Sequence, residues 1–212
     1  MEIIYCADGN QRFAQIAIEC GFLYGARLPT KSTVYFPIYF ADQDWKNPDR
    51  GRYVAEIRMY RPTVATVLDI ERDEQLEEAI GWAEDISSVV DYIVMVPKVF
   101  GIIRVIPEKI GTASVRLGYS VPTKYGGTEI PLWEFSDRPI HLLGGNPGIQ
   151  HDLSNYLHVV SVDGNMAMKA ALRWGNRWDG KKWVKSESVG RDFAYGSFRE
   201  SCLAIIDMWG EK

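Results

Sequence analysis

Residues 138–165 read RPIHLLGGNPGIQHDLSNYLHVVSVDGN, and this stretch decides the fold. The first apolar run, 140–143, stops at a Gly-Gly-Asn-Pro turn. A short amphipathic segment follows, and a second apolar run, 159–162, ends in Asp163. Continuous apolar runs of this length suit strands buried on both faces of a parallel sheet. In parallel α/β proteins, glycine turns and acids at the carboxyl ends of strands are where chemistry is placed. The pattern predicts a buried strand, a turn, a helix and a second buried strand that presents an exposed carboxylate at Asp163.

Outward from this block the same unit recurs. Strands are expected at 3–7, 34–40, 64–68, 92–96 and 115–119, beside 140–143 and 159–162, with an eighth candidate at 181–184. Helices are expected at 11–21, 49–60, 72–90, 147–156 and 164–174. In 72–90, Leu76, Ile80 and Ala83 recur at helical spacing. Glu71, Asp73, Glu74, Glu77, Glu78, Glu84 and Asp85 fill a solvated outer face. Alternating βα units imply an α/β chain, either a doubly wound sheet or a TIM-type barrel. A length of 212 residues lies near the lower limit for a barrel, so the expectation is a compact or incomplete (β/α)8 barrel with a mostly parallel sheet. It would form one domain over 1–212, with 173–212 contributing a basic, Trp-rich segment and a C-terminal helix.

Bulk properties narrow the function. The net charge is −4, which gives no general attraction to nucleic acid and leaves such binding to a local patch. No apolar run approaches the roughly 20 residues that span a bilayer, so no membrane association is expected. The amino terminus lacks a basic n-region, and the expected location is cytoplasmic. Cys6, Cys20 and Cys202 are scattered, which argues against a disulfide framework or a zinc knuckle. His141, His151 and His158 lack metal-ligand spacing, and no phosphate-loop or GxSxG motif is present. No metal or cofactor is expected.

Three expected strands end in acids: Asp8 after YCA, Asp69 and Glu71 in LDIE, and Asp163 in SVD. A barrel would bring all three ends to one mouth. Two carboxylates whose environments separate their pKa values can act as nucleophile and acid, a pairing suited to cleaving a glycosidic bond. The alternative for each is a helix N-cap. Gly118 opens GYSVPTKYGGT (118–128), a long polar loop after a strand, of the kind that carries function in compact domains. The segment 173–191 concentrates Arg173, Arg177, Lys181, Lys182 and Lys185 around Trp174, Trp178 and Trp183. These are ingredients for gripping a phosphate backbone and stacking bases. The alternative is a hairpin whose tryptophans cap the barrel bottom or pack on the last helix.

HLLGGNP (141–147), followed downstream by SVDGN at Asp163, resembles the tRNA-guanine transglycosylase superfamily, including the shorter phage and bacterial relatives that insert 7-deazaguanines into DNA. That resemblance implies a (β/α)8 barrel that exchanges guanine for a 7-deazaguanine through a covalent enzyme–nucleic acid intermediate. It implies Asp163 as nucleophile and Asp8 as general acid/base. Asp69, Glu71, Lys98, Gly118, Ser120, Gly144, Gly145 and Asn146 would line the base site. Asp8 stands without the family's Ser-Gly-Gly signature, and Lys98 stands where the family carries glutamine. The zinc subdomain of the tRNA enzymes has no counterpart, which favours DNA over tRNA. The partners implied are nucleic acid, a 7-deazaguanine base and a second copy in a homodimer. Two other readings stay open: an N-glycoside hydrolase using the same carboxylates, and a non-catalytic partner subunit.

Overall fold

A computed structural model describes residues 1–7, 9–123, 126–135, 137–186 and 191–210. Eight parallel strands close on themselves: β1 (Glu2–Cys6), β2 (Leu23–Leu28), β3 (Phe40–Gln43), β4 (Val64–Thr66), β5 (Tyr92–Met95), β7 (Ala113–Ser120), β8 (Ile140–Leu143) and β9 (Val159–Gly164). Closure comes from β5 pairing with β7 and from β9 pairing with β1. A two-residue strand, β6 (Lys109–Ile110), adds antiparallel to β7. The architecture is therefore a complete (β/α)8-type barrel.

What is reduced is the helical ring. Helices α1 (Gln11–Glu19), α2 (Arg50–Tyr60), α3 (Gln75–Ile86), α4 (Pro147–Leu153) and α5 (Met166–Trp174) follow β1, β3, β4, β8 and β9. The connections after β5 and β7 carry 3-10 helices, Ile102–Val105 and Leu132–Phe135. The connection from β2 to β3 has no helix among the described residues. Replacing helices with short turns is how about 200 residues close a barrel that typically uses about 250.

Two strand expectations are corrected. The strand expected at 34–40 begins at Phe40. Pro37 lies within that apolar run and has no N–H to give to a ladder. The eighth barrel strand is β2, not 181–184. In β2 the apolar run is broken by Gly25 and Arg27, at the alternate positions that point inward. Gly25 is closely packed there: a Cβ would lie 3.0 Å from Ile4 and 3.1 Å from Phe40. Residues 181–184 instead contribute to β11 (Trp183–Lys185), which pairs antiparallel with β10 (Asn176–Trp178) outside the barrel.

The barrel interior is layered, as strand tilt demands. Ile4, Cys6, Phe40, Val64, Val94 and Val96 form its apolar part. A separate, larger core lies between the outer barrel surface and the helices. There α6 (Arg191–Gly210) lays Phe198, Cys202, Ile205 and Trp209, spaced by three and four, against α1 and α5. The acidic helix α3 likewise buries one face, through Ala79, Trp82, Ala83 and Ile86.

Candidate active site at the barrel mouth

The carboxyl ends of the strands converge on a polar mouth. Asp42 enters it from β3, Asp69 from just beyond β4, Lys98 from beyond β5, Ser120 from the end of β7 and Asp163 from β9. Lys98 Nζ donates to Ser120 Oγ at 2.6 Å and stands 4.0 Å from Asp69 Oδ2. Asp42 was not singled out in the sequence, because the strand that carries it was placed too early. Its carboxylate accepts from Thr66 Oγ1 at 3.4 Å and lies in the fields of Asp163, Asp69 and Arg27.

Environment separates these acids. Burial, reinforced by the negative charges of Asp163 and then Asp69, pushes the Asp42 carboxyl up to about 8, while Arg27 pulls it down. Burial raises Asp69 to about 6 against the pull of Lys98, with Glu71 adding to the rise. Burial also holds Lys98 below the usual lysine range, opposed by Asp69 and Glu71. A carboxyl protonated at neutral pH thus stands in the same mouth as Asp163.

Asp163 is buried, at 9% exposure, where an exposed side chain was expected. The reason is the turn after β8, which folds over it: the Gly144 N–H donates to Asp163 Oδ1 at 3.2 Å. Gln150, from α4, ties the two strand ends together by donating to the Gly144 and Asp163 carbonyls. Gly144 and Gly145 have φ of +62° and +89°. At Gly145 a Cβ would also meet Val121 at 2.5 Å, so glycine is obligatory.

Below Asp163 a buried polar chain crosses the barrel. His141, fully buried, faces Asp163 Oδ1 with Nε2 at 3.4 Å and meets Ser161 Oγ with Nδ1 at 2.8 Å. Arg116 donates to Ser161 Oγ at 3.0 Å and forms a two-bond ion pair with Glu2. The expectation of a structural histidine missed this link to Asp163. Its signal was the polar H in IHLL and S in VVSVD, two inward positions on adjacent strands.

The other expected site residues divide. The N-cap alternative fails for Asp69 and Asp163: the N-cap of α3 is Glu74 and that of α5 is Asn165. Asp8 lies outside the described residues, as do Lys124 and Tyr125 of the 118–128 loop; the N-cap of α1 is Asn10. Glu71 is exposed and meets the mouth through its charge on Asp69. Gly118 is buried, and a Cβ there would lie 2.7 Å from Val96 and 2.9 Å from Val94, so the barrel interior keeps this position without a side chain. Asn146 caps α4 by accepting from the Gly148 N–H.

The basic, Trp-rich segment is corrected as a stacking surface at Trp178, while Trp174 is exposed. Trp178 is 2% exposed and packs edge-on against Trp183 at 5.1 Å. The β10–β11 hairpin seats on α5 and α6, with the Trp178 N–H donating to Ser201. Arg177 pairs with Glu200 at 3.0 Å, and Lys185 Nζ donates to the Trp174 carbonyl. Lys181, Lys182 and Arg173 are exposed. Large exposed aromatics also occur on connections that leave the carboxyl ends of the strands. Trp45 follows β3, and Phe100 follows β5 and packs edge-on against Trp133 at 5.7 Å. Glu134, its side chain buried, fastens that pair by accepting from the Gly101 N–H and from Arg104.

Among the described residues no group of three or more His, Cys, Asp or Glu side chains is placed to hold a metal. No helix among the described residues is long and apolar enough to cross a membrane. No curated protein matches the chain, and no solved structure does. Residues 17–210 match the model of a family of unknown function, DUF6610, and the chain belongs to that family.

Proposed function

We propose that the barrel mouth breaks and remakes an N-glycosidic bond, exchanging guanine in a nucleic acid, DNA rather than tRNA, for a 7-deazaguanine. The observation that carries this reading is the electrostatic grouping of Asp42 with Asp163 and Asp69 at the mouth. Asp163 attacks the anomeric carbon. The bond to the base breaks, its electron pair leaves with the base, and the base takes a proton from Asp42, which is protonated at neutral pH. In the second half Asp42, now ionised, removes a proton from the incoming base. That base attacks the same carbon and releases the Asp163 carboxylate. Asp69 and Lys98 are placed to meet the polar edge of the base.

A duplex base must leave its stack to reach such a site. Exposed aromatic faces at Trp45, Phe100 and Trp133 supply stacking surface, with Lys46 Nζ lying 5.1 Å over the Trp45 ring. The burial of Trp178 favours a second reading, in which the same carboxylates hydrolyse a small N-glycoside with water as acceptor.

Incubation with radiolabelled 7-deazaguanine and either DNA or tRNA tests the proposal. Label in DNA that survives purification supports exchange. Guanine release without label incorporation selects hydrolysis. Neither product from folded protein rejects both.

A further inference from the structure

The hydrogen-bond chain below Asp163 specifies more than its own geometry. Arg116 donates to Ser161 Oγ, and a guanidinium has donors only. Glu2 clamps Arg116 with two bonds, and the Tyr92 ring lies 3.8 Å beneath the guanidinium. Ser161 Oγ must therefore accept from Arg116. Its single proton then has one acceptor among the described residues, His141 Nδ1 at 2.8 Å. Were Nδ1 protonated, a buried hydroxyl proton would be left unpaired, which is costly. The neutral ring thus carries its proton on Nε2.

That Nε2 is buried, makes no hydrogen bond among the described residues, and stands 3.4 Å from Asp163 Oδ1. Phe40 stacks on the imidazole at 4.6 Å and 26°, which holds the ring plane. The Gly144 N–H reaches the same oxygen. The Gly144 N–H and the facing His141 Nε2 both lie on the Oδ1 side, and Oδ2 meets no donor among the described residues.

We propose that His141 is a positioning residue, locked as the Nε2–H tautomer, which during the reaction joins the Gly144 N–H in donating to Asp163 Oδ1 and so makes Oδ2 the attacking oxygen. This rests on Asp163 being the nucleophile. When Oδ2 bonds to the anomeric carbon, Oδ1 becomes the ester carbonyl and keeps both donors. When that bond breaks, its electron pair returns to a carboxylate already hydrogen-bonded, which makes Asp163 a better leaving group.

Long-range proton–nitrogen spectra of the uniformly 15N-labelled full chain test the tautomer. The expected result is a protonated Nε2 and an unprotonated Nδ1 at His141, with Ser161→Ala giving a mixture of tautomers. A protonated Nδ1 in the wild type overturns the proposal. Asp163→Asn should move the Nε2–H resonance, and an unmoved resonance overturns the pairing with Asp163. These readouts stand whether or not any base is exchanged, so a failed exchange assay sinks the proposed reaction and leaves the tautomer decided.

Where exchange is observed, His141→Gln places an amide N–H where Nε2–H was and should retain more activity than His141→Asn. The loss should fall on kcat rather than KM, by about 10–100-fold for His141→Asn, as expected for losing a hydrogen bond to a charged group. Equal losses in the two variants, with both folded, overturn the role.

Discussion

The barrel mouth and the 173–191 segment hold similar inventories of charged and aromatic side chains, yet the backbone uses them in opposite ways. At the mouth, strand ends from across the sequence turn acids toward one another, and burial sets Asp42 apart as the protonated one. In 173–191 a hairpin turns Trp178 into the core and ties Arg177 and Lys185 to neighbours in sequence or space. Residue type alone points equally to both regions. Strand-end topology separates them, because convergence at one face is a property of the barrel, not of composition.

The sharpest way to break this contrast is Asp163→Asn. Oδ1 still accepts from the Gly144 N–H in the variant, so folding should hold. Exchange should fall about 10³-fold or more, as for loss of a covalent nucleophile. A folded variant that keeps its rate would remove the mouth from the chemistry. On the other side of the comparison, Trp178→Ala should cost about 3–5 kcal/mol of stability by urea unfolding, the range for emptying a large buried aromatic. Full stability with weakened oligonucleotide binding would restore the hairpin as a grip.

Asp42 links the mouth to stability through pH. Its carboxyl ordinarily titrates at 3.8 and is raised to about 8 in the fold. Between those values the folded state binds a proton that the unfolded state has released, so stability falls as pH rises through the window. Asp69, raised to about 6, adds to the same trend at its lower end. Melting temperatures measured from pH 4 to 9 should therefore decline, and Asp42→Asn should flatten the decline. If the proposed reaction holds, exchange by the wild type should also fall above about pH 8, as the acid loses its proton.

Much of the barrel was legible because its strands are continuous apolar runs, and HLLGG and SVDG announced their turns. β2 was hidden for a physical reason. Its inward positions are Gly25, kept small by Ile4 and Phe40, and Arg27, which faces the mouth, so the run does not read as apolar. Asp42 was hidden with the true start of β3, delayed by Pro37. Asp163 and Asp69 were found as acids at strand ends. The burial of Asp163 depends on the Gly144 turn and on Gln150, neither of which a strand pattern reveals. His141 looked structural because its partners Ser161 and Arg116 lie on other strands, and only register brings them together.

The smallest effect is expected from Lys181→Ala with Lys182→Ala. Both backbone N–H groups donate to Asp179 Oδ1 and set the hairpin turn, while the side chains are exposed. The substitutions should change stability by no more than about 0.5 kcal/mol. The decisive measurement is the dependence of oligonucleotide affinity on salt. Two lysines that neutralise phosphates contribute about 1.8 to the log–log slope on duplex DNA. With Trp178 turned inward and Trp183 packed on it, the slope should stay unchanged. A slope reduced by that amount would mean that the hairpin holds the backbone after all, with the mouth supplying the chemistry and the tryptophans only the frame.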